Sequence, residues 1–158
     1  MKVVGEFNYR NAKEILEKAY PEILEEIYSI LEDSENVMDL SESSLQRKLS
    51  KQVQEWFVKK GWRKEKPAFS IHELKYDLVK GNIPIEIEIG HERLVYADFF
   101  EFMADYSKMH IPLGIMIVTG APEKFGHNWH NSLASTKKKI EAIKEAFLVP
   151  VLIIAIDP

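Results

Sequence analysis

Residues 76–90 read Y-D-L-V-K-G-N-I-P-I-E-I-E-I-G. Alternation of apolar and polar residues with a period of two predicts β-strands in this stretch. The polar positions of its second half are both carboxylates, Glu86 and Glu88, in a run of isoleucines that is typical of a buried strand. A buried carboxylate is costly unless it is paired or bound to a metal ion. The stretch therefore indicates a functional site as well as a strand.

The dipeptide Gly81-Asn82 predicts a hairpin, because glycine suits the first position of a type II′ turn. A two-residue loop at this point fixes the opposite residues as Lys80 with Ile83, Val79 with Pro84, Leu78 with Ile85, and Asp77 with Glu86. The last of these pairs is of the non-hydrogen-bonded class, in which the two Cβ atoms lie about 4.5–5.5 Å apart. Pro84 is in the same class, so its missing N–H costs this pairing nothing. We therefore expect Asp77 and Glu86 to be neighbours on one face of the sheet.

Like charges placed opposite each other destabilise a sheet. Two such carboxylates need a cation, or one of them must hold a proton. Mg²⁺ suits this arrangement, because it binds one or two carboxylates and keeps several waters. Glu88 points to the same side as Glu86 and can orient or deprotonate a water there, whereas Ile85, Ile87 and Ile89 point into the core. The alternative is a solvated face, with Asp77, Glu86 and Glu88 paired to Lys75, Lys80 or Arg93.

The composition is that of one globular domain. The chain has 158 residues, 46% of them hydrophobic, and a formal net charge of −4. This charge does not point to nucleic acid and does not exclude it, because only the docking face must be basic. The absence of cysteine excludes disulfides, thiolate zinc sites and cysteine nucleophiles. With no signal sequence and no apolar run of membrane length, we expect a soluble, cytoplasmic protein.

Periodicity predicts helices and strands in the order α–α–β–β–α–β–α–β. The helices are expected at 11–32 (restarting at Pro21), 45–60, 97–109 and 133–147, and the strands at 71–80, 83–89, 113–118 and 150–156. The third helix is expected to turn Phe99, Phe100, Phe102, Met103 and Tyr106 inward. A hairpin followed by strand–helix–strand units implies an α/β fold of the mixed α+β kind, in which helices flank a mixed sheet.

The pattern D-x-V-K-x-x-x-x-I-E-I-E-I-G, followed by a hydrophobic helix and a G-I-x-I-V strand, resembles the PD-(D/E)XK nucleases. More narrowly, it is similar to type II restriction endonucleases of the BglII/BstYI kind. The similarity extends over about 45–158 and includes Gly61-Trp62 and the final strand at 149–156. It implies a restriction-endonuclease-like core at 45–158 within a single domain 1–158, with 1–44 as a helical N-terminal extension.

This resemblance implies a Mg²⁺-dependent endodeoxyribonuclease, with Mn²⁺ as a substitute ion and 5′-phosphate products. Asp77 and Glu86 would be catalytic metal ligands, and the carbonyl of Ile87 a third ligand. Glu88, also catalytic, stands where most of the superfamily has lysine and close relatives have glutamine. Glu55 is the candidate supporting acid from the preceding helix, and its alternative is a charge that faces solvent.

The loop 119–132 has the composition of a DNA-binding loop. Its candidate contacts are Lys124, His127, Asn128 and His130, since amide and cationic side chains can read base edges. Alternatively, the loop only caps the next helix through Asn131 or Ser132. His91 and Arg93 follow the strand that carries Glu86 and Glu88, and the resemblance implies that they face DNA. Lys137, Lys138, Lys139 and Lys144 would meet phosphates or line a solvated helix face.

Cleavage of both strands of double-stranded DNA at a palindrome favours a homodimer. A restriction system would also include a cognate DNA methyltransferase. Three other functions stay open on the sequence alone. They are a catalytically inactive DNA-binding relative, a structure-specific or repair nuclease of the same fold, and an α/β domain that binds a metal ion or a protein.

Overall fold

The computed structural model describes residues 1–42, 46–90 and 95–158. Its helices are α1 (Ala12–Ala19), α2 (Pro21–Leu31), α3 (Gln46–Lys59), α4 (Val95–Ser107) and α5 (Leu133–Ile143). Its strands are β1 (Lys2–Tyr9), β2 (Arg63–Pro67), β3 (Lys75–Lys80), β4 (Ile83–Glu88), β5 (Gly114–Thr119) and β6 (Val151–Asp157). Short 3₁₀ turns occur at Leu40–Glu42 and Pro122–Phe125.

The six strands form one mixed sheet in the order β1-β6-β5-β4-β3-β2. The central strands β4, β5 and β6 are parallel to one another. The outer strands β1, β2 and β3 are antiparallel to their neighbours. Of the central strands, β5 and β6 are apolar almost throughout, as expected of parallel strands that are covered on both faces.

Helices cover both faces of the sheet and give the molecule three layers. The core on one face joins α1, α2 and α3 to the inward residues of β4, among them Ile85 and Ile87. The core on the other face joins α4 and α5 to β5 and β6 through residues such as Phe102 and Ile140. This arrangement confirms the predicted fold class, a mixed sheet flanked by helices.

The predicted hairpin register is confirmed over the residues that pair. Leu78 lies opposite Ile85, and Val79 lies opposite Pro84. Gly81 has φ of 62°, a left-handed value that glycine adopts without steric cost and that the predicted turn requires. The helix restart at Pro21 is also present, with the proline at the first position of α2.

Two strands escape the sequence prediction. β1 lies inside the segment 1–44 that was expected to be only helical, and it pairs with β6 at the edge of the sheet. Gly5 and a register irregularity between Val3 and Gly5 break its alternation, so the pattern of a strand is weak. β2 consists of exposed, mostly charged residues and is recognisable only by its pairing with β3.

Helix α4 differs from its predicted orientation at one aromatic residue. Phe99 and Phe102 are buried as expected, but Phe100 is 58% exposed. The buried face of the helix instead includes three acids: Asp98, Glu101 and Asp105. A prediction that places only apolar residues inward cannot anticipate such a face.

No helix in the described parts of the chain combines the length and the apolarity that crossing a bilayer requires.

Close packing at Gly114 holds α4 against the sheet, and this contact is testable. A Cβ at position 114 would lie 2.7 Å from Cδ2 of Phe102. We therefore expect Gly114→Ala to lower the free energy of unfolding by about 1–3 kcal/mol, as overpacking does. Urea denaturation of Gly114→Ala, Phe102→Leu and the double variant checks the cause. The double variant should lose less free energy of unfolding than the two single losses added together. Losses that add exactly would contradict the contact.

Candidate active site

Asp77 and Glu86 hold each other at the point where β3 and β4 separate. The backbone N–H of Asp77 donates to Oε2 of Glu86 at 3.2 Å. The backbone N–H of Ile87 donates to Oδ2 of Asp77 at 2.8 Å. Regular strand pairing extends no further than Leu78 opposite Ile85. Each carboxylate therefore occupies a backbone donor of the opposite strand, and both are fixed in position.

Helix α3 supports this pair from one face of the sheet. Gln54 is buried and donates through Nε2 to Oδ1 of Asp77 at 2.7 Å. One turn earlier, the hydroxyl of Ser50 donates to the carbonyl oxygen of Ile87 at 3.0 Å. That oxygen has a second lone pair, so it remains available as a ligand. Gln54 and Ser50 thus orient one predicted carboxylate ligand and the predicted carbonyl ligand.

The supporting residue on α3 is the neighbour of the one predicted. Glu55 points to solvent and pairs with Lys64 at 2.8 Å, so the solvent-facing alternative describes it. Gln54, which directly precedes Glu55 in α3, faces the sheet and reaches the site instead. An amide carries no charge, which is why a search for a supporting acid passes over it.

Glu86 and Glu88 lie on the face of the sheet that α4 covers. Glu86 is only 4% exposed, and Ile85, Ile87 and Ile89 are buried on the opposite side as predicted. The solvated-face alternative therefore does not describe Glu86. Lys80, one of its candidate partners, instead pairs with Glu26 at 2.6 Å.

Four carboxylate oxygens in this region are buried without a hydrogen-bond partner among the described residues. They are Oε1 of Glu86, Oδ2 of Asp98, Oε1 of Glu101 and Oδ1 of Asp105. Asp98 is 9% exposed and Glu101 4%. Neither residue was predicted, because both lie in a helix where an acid normally indicates the solvated face. A buried, unpartnered carboxylate is strongly unfavourable and is relieved by a cation or a proton.

The pKa values of these acids rise together. Burial raises the pKa of Asp77 to about 6, although hydrogen bonds from Ile87 and Gln54 act against it. Burial and the charge of Asp77 raise the pKa of Glu88 to about 8. Burial and the charge of Asp105 raise that of Glu101 to about 7. The pKa values of Glu86 and Asp98 also rise, through burial and then through neighbouring acids. The cluster thus favours either bound protons or a bound cation.

The donor set fits a divalent cation of the Mg²⁺ class. Its oxygens are hard ligands, and one from Glu86 has no partner. In the part of the chain that the structure describes, no three acidic or histidine side chains converge to hold an ion by themselves. An ion would therefore bind two carboxylates, the Ile87 carbonyl and waters, which is the kind of coordination that Mg²⁺ adopts.

The loop 119–132 is anchored beside the end of β4. The backbone N–H of Asn131 donates to the carbonyl oxygen of Gly90 at 2.8 Å, and Thr119 donates to the carbonyl oxygen of Asn131. Ser132 caps α5 in a capping box with Ser135. The loop therefore has the capping role that was one of its two predicted roles. Its position beside β4 is also compatible with the other role, DNA binding.

The candidate DNA contacts differ in their accessibility. Asn128 is exposed, His127 is partly exposed and stacks on Trp129, and Lys124 is exposed while it pairs with Asp157 at 2.6 Å. His130 is 0% exposed and lies against the rings of Phe125 and Trp129, so it does not present its ring to a ligand. His91 and Arg93 lie outside the described residues.

A mixed sheet whose hairpin places an aspartate beside a glutamate, with parallel strands following, is the architecture of a PD-(D/E)XK endodeoxyribonuclease. The crystal structure of restriction endonuclease BglII complexed with a DNA 16-mer matches with a TM-score of 0.71. The match covers 98% of this chain and 76% of that chain at 17% identity. The family model described as restriction endonuclease BglII/BglIII matches residues 4–156. The chain belongs to this family of endodeoxyribonucleases. No curated protein sequence matches the chain significantly.

The raised pKa values predict how the metal-free protein responds to pH. Asp77, Glu101 and Glu88 have pKa values of about 6, 7 and 8 in the folded state, against about 4 in an unfolded chain. The folded state then retains protons that the unfolded state has lost. Their contribution to stability is complete below about pH 4 and is lost as pH rises through about 6 to 8.

Urea denaturation in the presence of a chelator at about pH 5 and pH 8 measures this loss. Glu88→Gln should reduce the loss of unfolding free energy between about pH 5 and pH 8. Glu55→Gln, at an exposed acid paired with Lys64, should leave this loss unchanged. Mg²⁺ added at the higher pH should restore stability. Equal slopes in the wild type and Glu88→Gln would contradict the assignment.

Proposed function

We propose that this protein is a Mg²⁺-dependent, type II restriction-like endonuclease that hydrolyses double-stranded DNA at a short palindromic site. The observation that carries the proposal is the pair of half-buried Asp77 and buried Glu86, in which one Glu86 oxygen lacks a partner among the described residues. Membership of the BglII/BglIII family agrees with it. Mn²⁺ would substitute for Mg²⁺, and the products would carry 5′-phosphates.

Asp77, Glu86 and the carbonyl of Ile87 would hold the ion. When bound, Mg²⁺ supplies Lewis-acid stabilisation of phosphate oxygens and lowers the pKa of water. Gln54 keeps Asp77 in one orientation, and Ser50 does the same for the Ile87 carbonyl. The carboxylate of Glu88 accepts a proton from the attacking water, a role that suits a group with a pKa near the working pH.

DNA would approach the end of β4, beside the loop 119–132. Lys124, His127 and Asn128 are the proposed contacts within this loop, since their side chains are at least partly accessible. His91 and Arg93 follow β4 in the sequence and complete the proposed contact set. Cleavage of both strands requires two such sites, so we propose a homodimer that acts in the cytoplasm with a cognate methyltransferase.

Plasmid cleavage tests the proposal directly. Protein incubated with plasmid and Mg²⁺ should produce discrete fragments, and a chelator should abolish them. Asp77→Asn should lower the rate by at least about a hundredfold, more than changes behind the ligands usually cost. Glu55→Gln is the matched control and should cleave normally. Binding of the plasmid without cleavage would instead favour a catalytically inactive relative. Nonspecific degradation of the plasmid would favour a repair nuclease.

The support from α3 gives a second, separate prediction. Gln54→Leu removes the hydrogen bond to Asp77 but keeps a buried side chain of similar size, so the cleavage rate should fall about 10–100-fold. The affinity for Mn²⁺, measured by calorimetry without DNA, should fall with it. Unchanged ion affinity together with lost cleavage would show that Gln54 does not act through the ion site.

A further inference from the structure

Two of the three basic side chains of the edge strand β2 project on the α4 side of the sheet. Arg63 lies opposite Val79, and Lys66 lies opposite Tyr76. Val79 and Tyr76 both belong to the hydrophobic core on the α4 side. Because directly opposite residues of antiparallel strands share a face, Arg63 and Lys66 project on that side too. The glutamates of β4 lie on the same side, since the isoleucines that alternate with them face the other core.

Lys64, the third basic residue of β2, projects on the other side. It lies opposite Leu78, which belongs to the core on the α3 side. Its Nζ atom pairs with Glu55 of α3 at 2.8 Å. The strand register and the ion pair thus agree on the direction of Lys64, and the register therefore also gives the directions of its two neighbours.

The pairing of β2 with β3 is interrupted at Glu65, between the two pairs that define the α4 side. Glu65 has φ of 50°, a left-handed value that is uncommon for a residue other than glycine. In a regular strand, residues three apart project from opposite faces. The backbone conformation at Glu65 reverses this alternation, so Arg63 and Lys66 share a face. An uncommon backbone conformation therefore brings two positive side chains to the side of the candidate active site.

Arg63 and Lys66 are exposed along with the rest of β2. None of the ion pairs between residues that the structure describes involves either of them. They lie on the same side of the sheet as several acids and pair with none of these acids. Within the described chain, their charges are therefore available to an anion that comes from solution.

Lys66 is the closer of the two to the candidate active site. Tyr76, which lies opposite it, directly precedes Asp77 in β3. Backbones of neighbouring strands are about 4.7–4.9 Å apart, so Lys66 begins about one strand spacing from the residue next to Asp77. Arg63 lies at most roughly 10 Å further along the strand. Such a span corresponds to about three nucleotides of one DNA strand.

Protection of the sheet edge is the alternative explanation for these charges. Charged side chains on an edge strand prevent it from pairing with another chain. That role is served by either sign of charge on either face. It does not account for two positive side chains that share one face and lie unpaired beside acids. A polyanion that docks along β2 accounts for the sign, the shared face and the missing pairs.

We propose that Arg63 and Lys66 form a surface on β2 that binds the phosphate backbone of double-stranded DNA beside the scissile bond. This inference rests on the proposed function. It adds a contact surface on the β3 side of the candidate active site, whereas the loop 119–132 lies on the β5 side. Phosphate contacts of this kind position the duplex without reading its sequence, and they make binding depend on salt.

The salt dependence of DNA binding measures these contacts. Full-length Asp77→Asn, in which the DNA should stay intact, serves as the parent and binds a labelled duplex at fixed Mg²⁺ and varied KCl. Arg63→Gln and Lys66→Gln should each reduce the slope of log association constant against log salt concentration by about 1. Each should weaken binding about three- to tenfold near 0.1 M salt. Lys66→Arg, which keeps the charge, should bind like the parent.

Lys64→Gln is the matched control, because it removes a positive charge from the same strand but from the other face. It should leave the slope and the affinity unchanged. Lys66→Glu separates DNA binding from edge protection, since it keeps a charge on the edge but should bind DNA more weakly than Lys66→Gln. Circular dichroism verifies that each variant is folded. Unchanged slopes in Arg63→Gln and Lys66→Gln, or an equal fall in Lys64→Gln, would overturn the surface.

Failure of this inference and failure of the proposed function are distinguishable. A protein that cleaves plasmid, and whose Arg63 and Lys66 variants keep the slope of the parent, lacks the surface but keeps the proposed activity. A protein whose slope falls in these variants, but which leaves plasmid intact, keeps the surface and loses the proposed activity. A protein that does not bind duplex DNA at any salt concentration overturns both.

Discussion

The hydrogen bonds that the carboxylates of Asp77 and Glu86 accept from the backbone of the opposite strand are the constraint on which the rest of the site depends. Asp77 accepts the backbone N–H of Ile87, which a regular hairpin ladder would use for strand pairing, and Glu86 accepts the backbone N–H of Asp77. The strands must therefore separate at this point, and the carboxylates satisfy the donors that the separation exposes. The same separation would give an ion access to two carboxylates that the backbone already orients.

The two faces of the sheet contribute differently to the site. On one face, isoleucines of β4 anchor the strand in an apolar core, and α3 reaches the ligands with uncharged groups, Gln54 and Ser50. On the other face, α4 brings acids against the acids of β4. Orientation thus comes from the α3 side and negative charge from the α4 side. The acids are therefore held in place by hydrogen bonds and packing, and not by buried basic side chains among the described residues.

The sequence predicted the parts of the fold that local chemistry controls. The glycine of the turn, the position of Pro84 and the alternation of isoleucine with glutamate specify a register in which Asp77 and Glu86 meet. The cap at Ser132 follows from side-chain chemistry within one turn. β1 and β2 depend instead on pairing partners that lie far away in the chain or on a charged edge, where periodicity carries little information.

The site residues that were missed all depend on tertiary contacts. Gln54 rather than Glu55 faces the sheet because of the rotation of α3 about its axis. A prediction that is wrong by one residue in the helix therefore selects a side chain that points to solvent. Asp98 and Glu101 are buried because α4 lies over β4, and an amphipathic pattern assigns acids to the solvent side. His130 appears accessible in a polar loop, but rings of the same loop enclose it. The outcomes at Gln54, Asp98 and Glu101 are not decided by residues near in sequence.

Electrostatics also determines the order in which ligands must arrive. The chain is acidic overall, with a net charge of −4, and several acids that raise one another's pKa lie where the scissile phosphate would bind. Without a cation, the acids of the cluster repel one another and a phosphate alike, and burial weakens the screening by water. On the proposed function, a divalent ion would therefore enter before DNA or together with it. Basic side chains at the edge of the site would then attract the DNA backbone, and the ion would compensate the charge of the acids that face the phosphate.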